Sequence, residues 1–496
     1  MESKINQITD ILRRDDGISG AMMYTEQISW ILFLKFLNDF EASKEEDASF
    51  DGEVYHYILE EKYRWDVWAC PKDKNKKLDV INAKSGDDLL GFVNGELFKY
   101  LKGFKSINEE VKSVKYKIGA IFEFLDNRIA NGHTLREVLD IIDAMDFHSQ
   151  SDLFQLSLIY EKLLKGMGSD GGNSGEFYTP RPLVKTIVDV VNPSVGEKIY
   201  DPAVGSCGFL IEAYNHIRYE DVENNKQKEL SSEQLKFLSQ DSFYGKEKTP
   251  LSYVMGVMNM ILHGIESPNI SKTNTLTKDI RGLEEKDRFD CILANPPFGG
   301  KEKEQIQQNF PIKSNATELL FLQHIMNNLK LGGRCGVVIP EGVLFQTNKA
   351  FVSVKKELLE RFSVHTILSL PSGIFLPYSG VKTNVIFFDR SGGTKEIFYY
   401  EVTPPYKLTK NKPILFEHFK EFLEVWEKRT LTDSSWIVKV EDLKEYDISA
   451  KNPNNIETIE HKSPTELIKI LRNNNKKIET MIDEVESILK GKNIDG

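Results

Sequence analysis

Between residues 183 and 390, short apolar strand-like runs alternate with helical patterns, and this alternation restricts the fold more than any other feature. The expected strands are Lys198–Tyr200, Asp241–Tyr244, Phe289–Ala294, Cys335–Ile339, Val364–Leu370 and Asn384–Phe388. Helical patterns between them include Leu183–Val191, Phe209–Tyr219, Pro250–His263 and Glu318–Leu329. Such an alternation predicts parallel strands joined by crossover helices, a doubly wound α/β sheet of Rossmann type. Ligands of such sheets sit at the carboxyl ends of the strands.

The flanking regions read differently. Residues 1–150 are expected to form a helical domain: Ile5, Ile8, Ile11 and Leu12 recur at helical spacing, and Glu26–Phe40 is strongly apolar. Further helical patterns cover Glu109–Ile129 and Leu135–Ala144, and Asp47–Lys77, with Trp65 and Trp68, reads as an irregular connector. The Gly-rich stretch 166–182 is a linker, a ligand loop, or both. The catalytic domain is expected over 151–400 and a C-terminal region over 401–496. The latter ends in a helix whose Leu467, Leu471, Asn474, Ile478, Met481, Val485 and Ile488 step as a heptad seam. That seam needs a partner helix, within the chain or on another protein.

Composition sets limits on partners and compartment. The chain of 496 residues carries a net charge of −11 and no long Lys/Arg run, so a grip on DNA through many phosphates would need help from a partner. No stretch approaches the roughly 20 apolar residues of a membrane span, and the first residues do not resemble a signal peptide. Cys70, Cys207, Cys291 and Cys335 are scattered without metal-ligand spacing, which argues against a zinc site and fits a reducing cytoplasm. Of the histidines, His148, His216, His263 and His324 lie in helical or near-helical settings and are read as structural.

Three segments carry chemistry. In IYDPAVGSCGFLIEA a strand ends near Asp201 and is followed by Gly205, Ser206, Cys207 and Gly208 before a helix. Glycines there let backbone approach a ligand closely and aim helix N-terminal amides at it, although a plain strand–turn–helix has the same outline. Glu247, just after a second strand, is placed to accept both hydroxyls of a ribose. In FDCILANPPFGG an apolar run leads into Asn295, Pro296, Pro297 and Phe298. The prolines fix the backbone and remove amide donors. Two acceptors and a flat ring could therefore hold a planar group with an exocyclic amine.

These motifs resemble those of S-adenosylmethionine-dependent amino-methyltransferases. Asn295-Pro296-Pro297-Phe298 is similar to their catalytic motif, and DPAVGSCGF to their cofactor loop. GEFYTPRPLV resembles the segment that precedes this loop in gamma-type adenine-N6 DNA methyltransferases, and LPSGIFLPYSGVKTNVIFF a late motif of their catalytic domain. With the helical front, the chain resembles the modification subunit of a type I restriction–modification system. The resemblance implies cofactor contacts from Glu176, Phe177, Tyr178, Thr179, Pro180 and Arg181, from Asp201, Gly205, Ser206, Cys207 and Gly208, from Glu247 at the ribose and from Asn274 at the cofactor adenine. Cys207 departs from the Gly, Ala or Thr expected there, which implies a slightly tighter loop. It also implies double-stranded DNA as substrate, a separate DNA specificity subunit, a second copy of the chain in the complex, and a restriction subunit. No metal is required. Tyr378 is a further candidate for contact with the target base, and Lys301–Glu304 either touches a phosphate or is a solvated loop.

The implied reaction begins with an adenine flipped out of the duplex, since N6 is unreachable inside it. Asn295 and the Pro296 carbonyl would accept from N6–H, and Phe298 would stack on the base. Two other readings share part of the pattern. One is an amino-methyltransferase acting on protein glutamine or RNA guanine, and the other a non-catalytic recognition subunit that kept the fold.

Overall fold

A computed structural model describes residues 2–50, 52–106, 110, 113–145, 179–222, 224, 226–265, 267–376, 379–449, 451–454 and 464–491. Glu176, Phe177, Tyr178, His148 and Tyr378 lie outside the described residues. Met1–Asn452 form one unit and Pro453–Gly496 a second.

The first unit begins with α1 (Glu2–Leu12) and α2 (Ala21–Phe50), followed by α3 (Val114–Phe122) and α4 (Gly132–Asp143). α2 extends past the expected segment in both directions. Side-chain oxygens start α3 and α4: Ser113 accepts from the Tyr116 N–H, and Asn131 from those of His133 and Thr134. The stretch expected to be an irregular connector is corrected at its tryptophans. Trp65–Trp68 form one helical turn, and both indoles are buried, with Trp68 stacked on Phe92 at 5.8 Å. The energy of burying such large rings outweighs the weak local pattern.

The second half of this unit is built on a nine-stranded sheet of order β11-β10-β8-β9-β7-β6-β1-β4-β5. Its strands are β1 (Ile199–Asp201), β4 (Phe243–Glu247), β5 (Asn269–Lys272), β6 (Phe289–Ala294), β7 (Leu329–Pro340), β8 (Ser363–Ser369), β9 (Thr383–Asp389), β10 (Glu396–Glu401) and β11 (Ser435–Lys439). β2 (Tyr219–Asp221) and β3 (Lys226–Gln227) form a separate hairpin. All six expected strands are present, while β5, β10 and β11 are additional. β5, β4, β1, β6 and β7 run parallel. The fully parallel expectation is corrected at β9, which inserts antiparallel between β7 and β8, and at β11, antiparallel to β10. A parallel neighbour needs a crossover of a dozen or more residues, usually helical. The described residues between β8 and β9 contain no helix, so the chain turns back directly.

Helices cover both faces. α5 (Arg181–Val191), α6 (Gly208–Arg218) and α7 (Pro250–Leu262) share a core with Ile199, Cys291 and Leu293. α8 (Thr317–Asn328) and α9 (Lys349–Arg361) share the other with Tyr200, Ile292 and Ala294. The alternation along β1 and β6 is the two-residue repeat of a strand buried on both sides. α7 is buried from Ser252 to Leu262 because α2 and α3 pack on its far side, with Phe124 edge-on to Tyr253 at 6.1 Å. Its sequence is accordingly apolar all round.

The described part of the second unit is one helix, α10 (Pro464–Gly491). Along it Leu471, Asn474, Ile478 and Met481 of the heptad seam are exposed.

The fit of α5 on the sheet depends on Gly336 in β7. A Cβ there would lie 2.7 Å from Ile187 Cγ2 and 3.1 Å from the Phe387 ring. Gly336→Val should therefore lose about 1–3 kcal/mol through overpacking. Urea denaturation checks this: the midpoint should fall with the slope unchanged.

Candidate active site

The strand order reverses at β1. The chain leaves β1 for β4 and β5 on one side, then returns to β6 on the other. A crevice at the carboxyl ends of β1 and β6 follows from that reversal. Asp201 is the last residue of β1, Glu247 the last of β4, and Asn295 follows the last of β6. Asn274 stands two residues beyond β5. Four separated stretches of sequence thus meet along one sheet edge.

The loop from Pro202 to Gly208 is held against its surroundings at close range. The Val204 N–H donates to the Lys246 carbonyl at 3.2 Å, the Gly205 N–H to Glu247 Oε2 at 3.0 Å, and Thr275 Oγ1 to the Pro202 carbonyl. From beneath, Asn259 Nδ2 on α7 donates to the Ser206 carbonyl at 2.9 Å. Two glycines make this approach possible. A Cβ on Gly245 would sit 2.2 Å from Val204 Cγ1, and one on Gly256 would sit 2.7 Å from the Gly205 carbonyl and 2.8 Å from Cys207 Sγ. Cys207 caps α6 with φ +62°, a left-handed conformation costing roughly 1–2 kcal/mol in a non-glycine residue. Its fully buried thiol is pushed well up by burial and then by Asp201 and Glu247, so it stays protonated and is no nucleophile.

Around the loop stand Thr179, Arg181 and Asn295, which line a narrow cleft with Asp201, Gly205 and Ser206. Arg181 opens α5 and donates to the Gly208 carbonyl at 2.9 Å. Asn295 Nδ2 donates to Thr179 Oγ1 at 3.0 Å, while Asn295 Oδ1 is buried without a partner among the described residues. Pro296 is buried, Pro297 is half-buried, and half-buried Phe298 meets Phe375 edge-on at 5.8 Å.

Two carboxyls are buried here. Asp201 is 1% exposed and is raised from 3.8 to about 8, chiefly by burial and then by Glu247, against the Ala203 N–H that it accepts. Glu247 is raised by burial, offset by hydrogen bonds from the Thr249 and Gly205 backbone. Neither has an ion-pair partner among the described residues, and Asp201, which accepts from Ala203, keeps lone pairs free for further donors.

The structure thus brings together Thr179, Pro180, Arg181, Asp201, Gly205, Ser206, Cys207, Gly208, Glu247, Asn295 and Pro296. Asn274 lies beside them, but its side chain accepts from the Leu276 N–H and caps a short 3-10 turn. Asn259, Gly256 and Thr275 hold the loop and are absent from the sequence-based set. Their contacts are long-range, and no local motif marks them.

Residues 150–463 match the family model described as N-6 DNA Methylase, and residues 1–142 match that of the HsdM N-terminal domain. The chain belongs to the N-6 DNA methylase family. It is 34% identical to the type I restriction enzyme EcoEI methylase subunit of Escherichia coli, over 99% of this chain and 97% of that one. It is 29% identical to the EcoKI methylase subunit of E. coli strain K12, over 86% and 75%. Among solved structures, a modification subunit assigned to a type I restriction enzyme of Vibrio vulnificus YJ016 superposes with a TM-score of 0.82 at 36% identity, covering 92% and 98%. A chain of a type I R-M complex superposes at 0.75 with 41% identity, covering 100% and 98%. The protein is an adenine-N6 DNA methyltransferase with S-adenosylmethionine as methyl donor. DNA, rather than protein glutamine or RNA, is its substrate class.

The cleft fits that donor chemically. S-adenosylmethionine brings hydroxyl and ammonium donors and a sulfonium cation, which suit two buried carboxyls at the ends of neighbouring strands.

Asp201 also generates a pH dependence. Between about 3.8 and about 8 the folded protein holds a proton on Asp201 that the unfolded chain has shed. Its contribution to stability is therefore greatest at low pH and declines as pH rises through that window. Asp201→Asn should flatten the decline. Chemical denaturation from pH 5 to 8.5 checks this: the variant should gain on the wild type steadily up to about pH 8 and hold a constant lead above it.

Proposed function

We propose that the cleft at the ends of β1, β4 and β6 is the methyl-transfer site, with Asn295, Pro296, Pro297 and Phe298 as catalytic residues. The carrying observation is the buried Asn295 Oδ1 beside the glycine loop, which has no partner among the described residues. A buried acceptor left unpaired costs about 1–3 kcal/mol, a cost that an incoming N–H donor relieves. Thr179 fixes the amide by accepting from Nδ2, so Oδ1 is kept for the substrate.

The cofactor supplies an electrophilic sulfonium methyl when bound. Glu176–Arg181 and the glycine loop are read as holding its methionine part, Glu247 its ribose and Asn274 its adenine. Asn295 Oδ1 and the Pro296 carbonyl accept the two N6 hydrogens of a flipped adenine. That geometry favours a more pyramidal nitrogen and localises its lone pair. Phe298, backed by Phe375, gives the extruded base a face to stack on and offsets part of the unstacking cost. The nitrogen sheds its proton after transfer, so the site needs orientation and fixed dipoles more than a strong base.

Asn295→Ala should lower kcat on the order of 10²–10³-fold while leaving cofactor affinity nearly unchanged. Labelled methyl transfer to duplex DNA, with calorimetry of S-adenosylhomocysteine binding, checks both halves. Lost binding would move Asn295 from catalysis to the cofactor.

The chain is further read as a cytoplasmic modification subunit that works on double-stranded DNA with a DNA specificity subunit, a second copy of itself and a restriction subunit. Its relatives are type I methylase subunits, and a net charge of −11 suits shared rather than solitary DNA binding. The helical region over 1–150 and the catalytic region over 151–400 would then be joined by a C-terminal region over 401–496 that ends in α10. Its exposed seam is read as a contact for the specificity subunit. Deleting residues 464–496 should abolish co-elution with that subunit and leave the thermal unfolding of the remainder in place. Normal co-elution would remove α10 from the interface.

A further inference from the structure

The sheet face opposite α7 holds a second cavity, of about 340 Å3, that shares no lining residue with the cofactor cleft. Beyond β5 the chain runs through two short 3-10 turns, Thr275–Thr277 and Glu285–Asp287, where a crossover helix could have covered β1 and β4. The gap leaves Tyr200 and its register partner Tyr244 on one wall, with Lys246, Lys278, Phe289 and His324 around them.

The charges on this wall do not cancel. Lys246 and Lys278 have no carboxylate within ion-pair distance among the described residues. Of the two carboxylates present, Asp279 is held by Arg281 at 2.6 Å, which leaves Asp287. Lys286 and Arg288 are already paired with Glu284 and Glu285. Burial and then Lys278 hold the Lys246 ammonium below its usual range.

His324 backs this wall. It is 2% exposed, and its Nε2 lies 2.9 Å from the Tyr200 hydroxyl. Nδ1 is buried with no partner among the described residues. Burial first, then Lys246 and Lys278, push the ring down to about 3, so it stays neutral. Three ammoniums with no ion pair among the described residues, those of Lys198, Lys246 and Lys278, and an aromatic wall of Tyr200, Phe289 and Tyr244 thus surround one cavity.

We propose that this cavity binds a phosphate-bearing small molecule of mononucleotide size, its phosphate at Lys246 and Lys278 and its ring against the tyrosines. A volume near 340 Å3 is in the range of small-ligand sites, and hydrogen bonds to charged groups are the strong ones.

The test is isothermal titration of the full chain with AMP and, separately, inorganic phosphate, at constant ionic strength. S-adenosylhomocysteine is kept saturating throughout, so that the adenosine end of the cofactor cleft is blocked. AMP should bind saturably at one site per chain, and phosphate should bind more weakly and compete with it. Lys246→Met/Lys278→Met should weaken both roughly tenfold or more, with S-adenosylhomocysteine affinity unchanged. Lys278→Glu, at an exposed position that leaves the core alone, should do the same if the double variant fails to fold. Absence of binding by either probe, or equal binding by the variants, would overturn the site. AMP binding no tighter than phosphate would overturn the mononucleotide assignment.

Discussion

The close approach of the Pro202–Gly208 loop to β4 and α7 is the constraint on which the site depends. A side chain at Gly245 or Gly256 would drive the loop away from Glu247 and Asn259, and with it the backbone amides that line the cleft. The same contact explains the burial of α7. One side of that helix supports the loop and the other carries α2 and α3, so the helical front and the glycine loop are braced by one element. Cys207 shows how firmly the loop is held. It keeps a left-handed backbone without being glycine, and its side chain fills the space beside Gly256.

Holding the loop so tightly has an electrostatic consequence. Asp201 and Glu247 end neighbouring strands and are buried; burial raises the proton affinity of both, and Glu247 raises that of Asp201 further. Backbone N–H groups satisfy part of each carboxyl and fix its orientation. Asp201 keeps acceptor capacity with no donor among the described residues, and the Asn295 oxygen in the same cleft is in the same condition. Unsatisfied acceptors clustered at a strand-order reversal are stable only because the surrounding fold is over-determined. They are the part of the structure that a ligand completes.

Much of this was legible in sequence, for reasons that can be located. β1, β9 and the expected part of β7 are buried on both faces and so read as continuous apolar runs, whereas β5 and β11 are short and half exposed and give no such signal. The direction of β9 was not legible, because it is set by the connection that precedes it and not by the strand's own residues. Asp201, Glu247 and Asn295 could be picked out because each follows a strand directly, and strand ends are where such sheets place chemistry. Asn259, Gly256 and Thr275 could not, since their role exists only once α7 and the turn after β5 pack against the loop. The helical turn at Trp65 and Trp68 is not legible in the sequence for a related reason. A single helical turn has no periodicity to detect, and its burial is decided by Phe92 and the rest of the helical core.

The distribution of charge separates chemistry from grip. The cleft at the ends of β1, β4 and β6 is built from buried carboxyls and neutral amides, with Arg181 turned to the Gly208 carbonyl, so it is suited to a cationic donor and a neutral base but not to a phosphate backbone. The chain as a whole is acidic. Affinity for duplex DNA comes largely from neutralising phosphates, and a protein organised in this way gains little of it alone. A division of labour follows, in which one polypeptide presents the transfer site and others hold and read the duplex. The exposed apolar residues of α10 are consistent with it, since a helix carrying Leu471, Ile478 and Met481 on its surface is more stable once that stripe is covered.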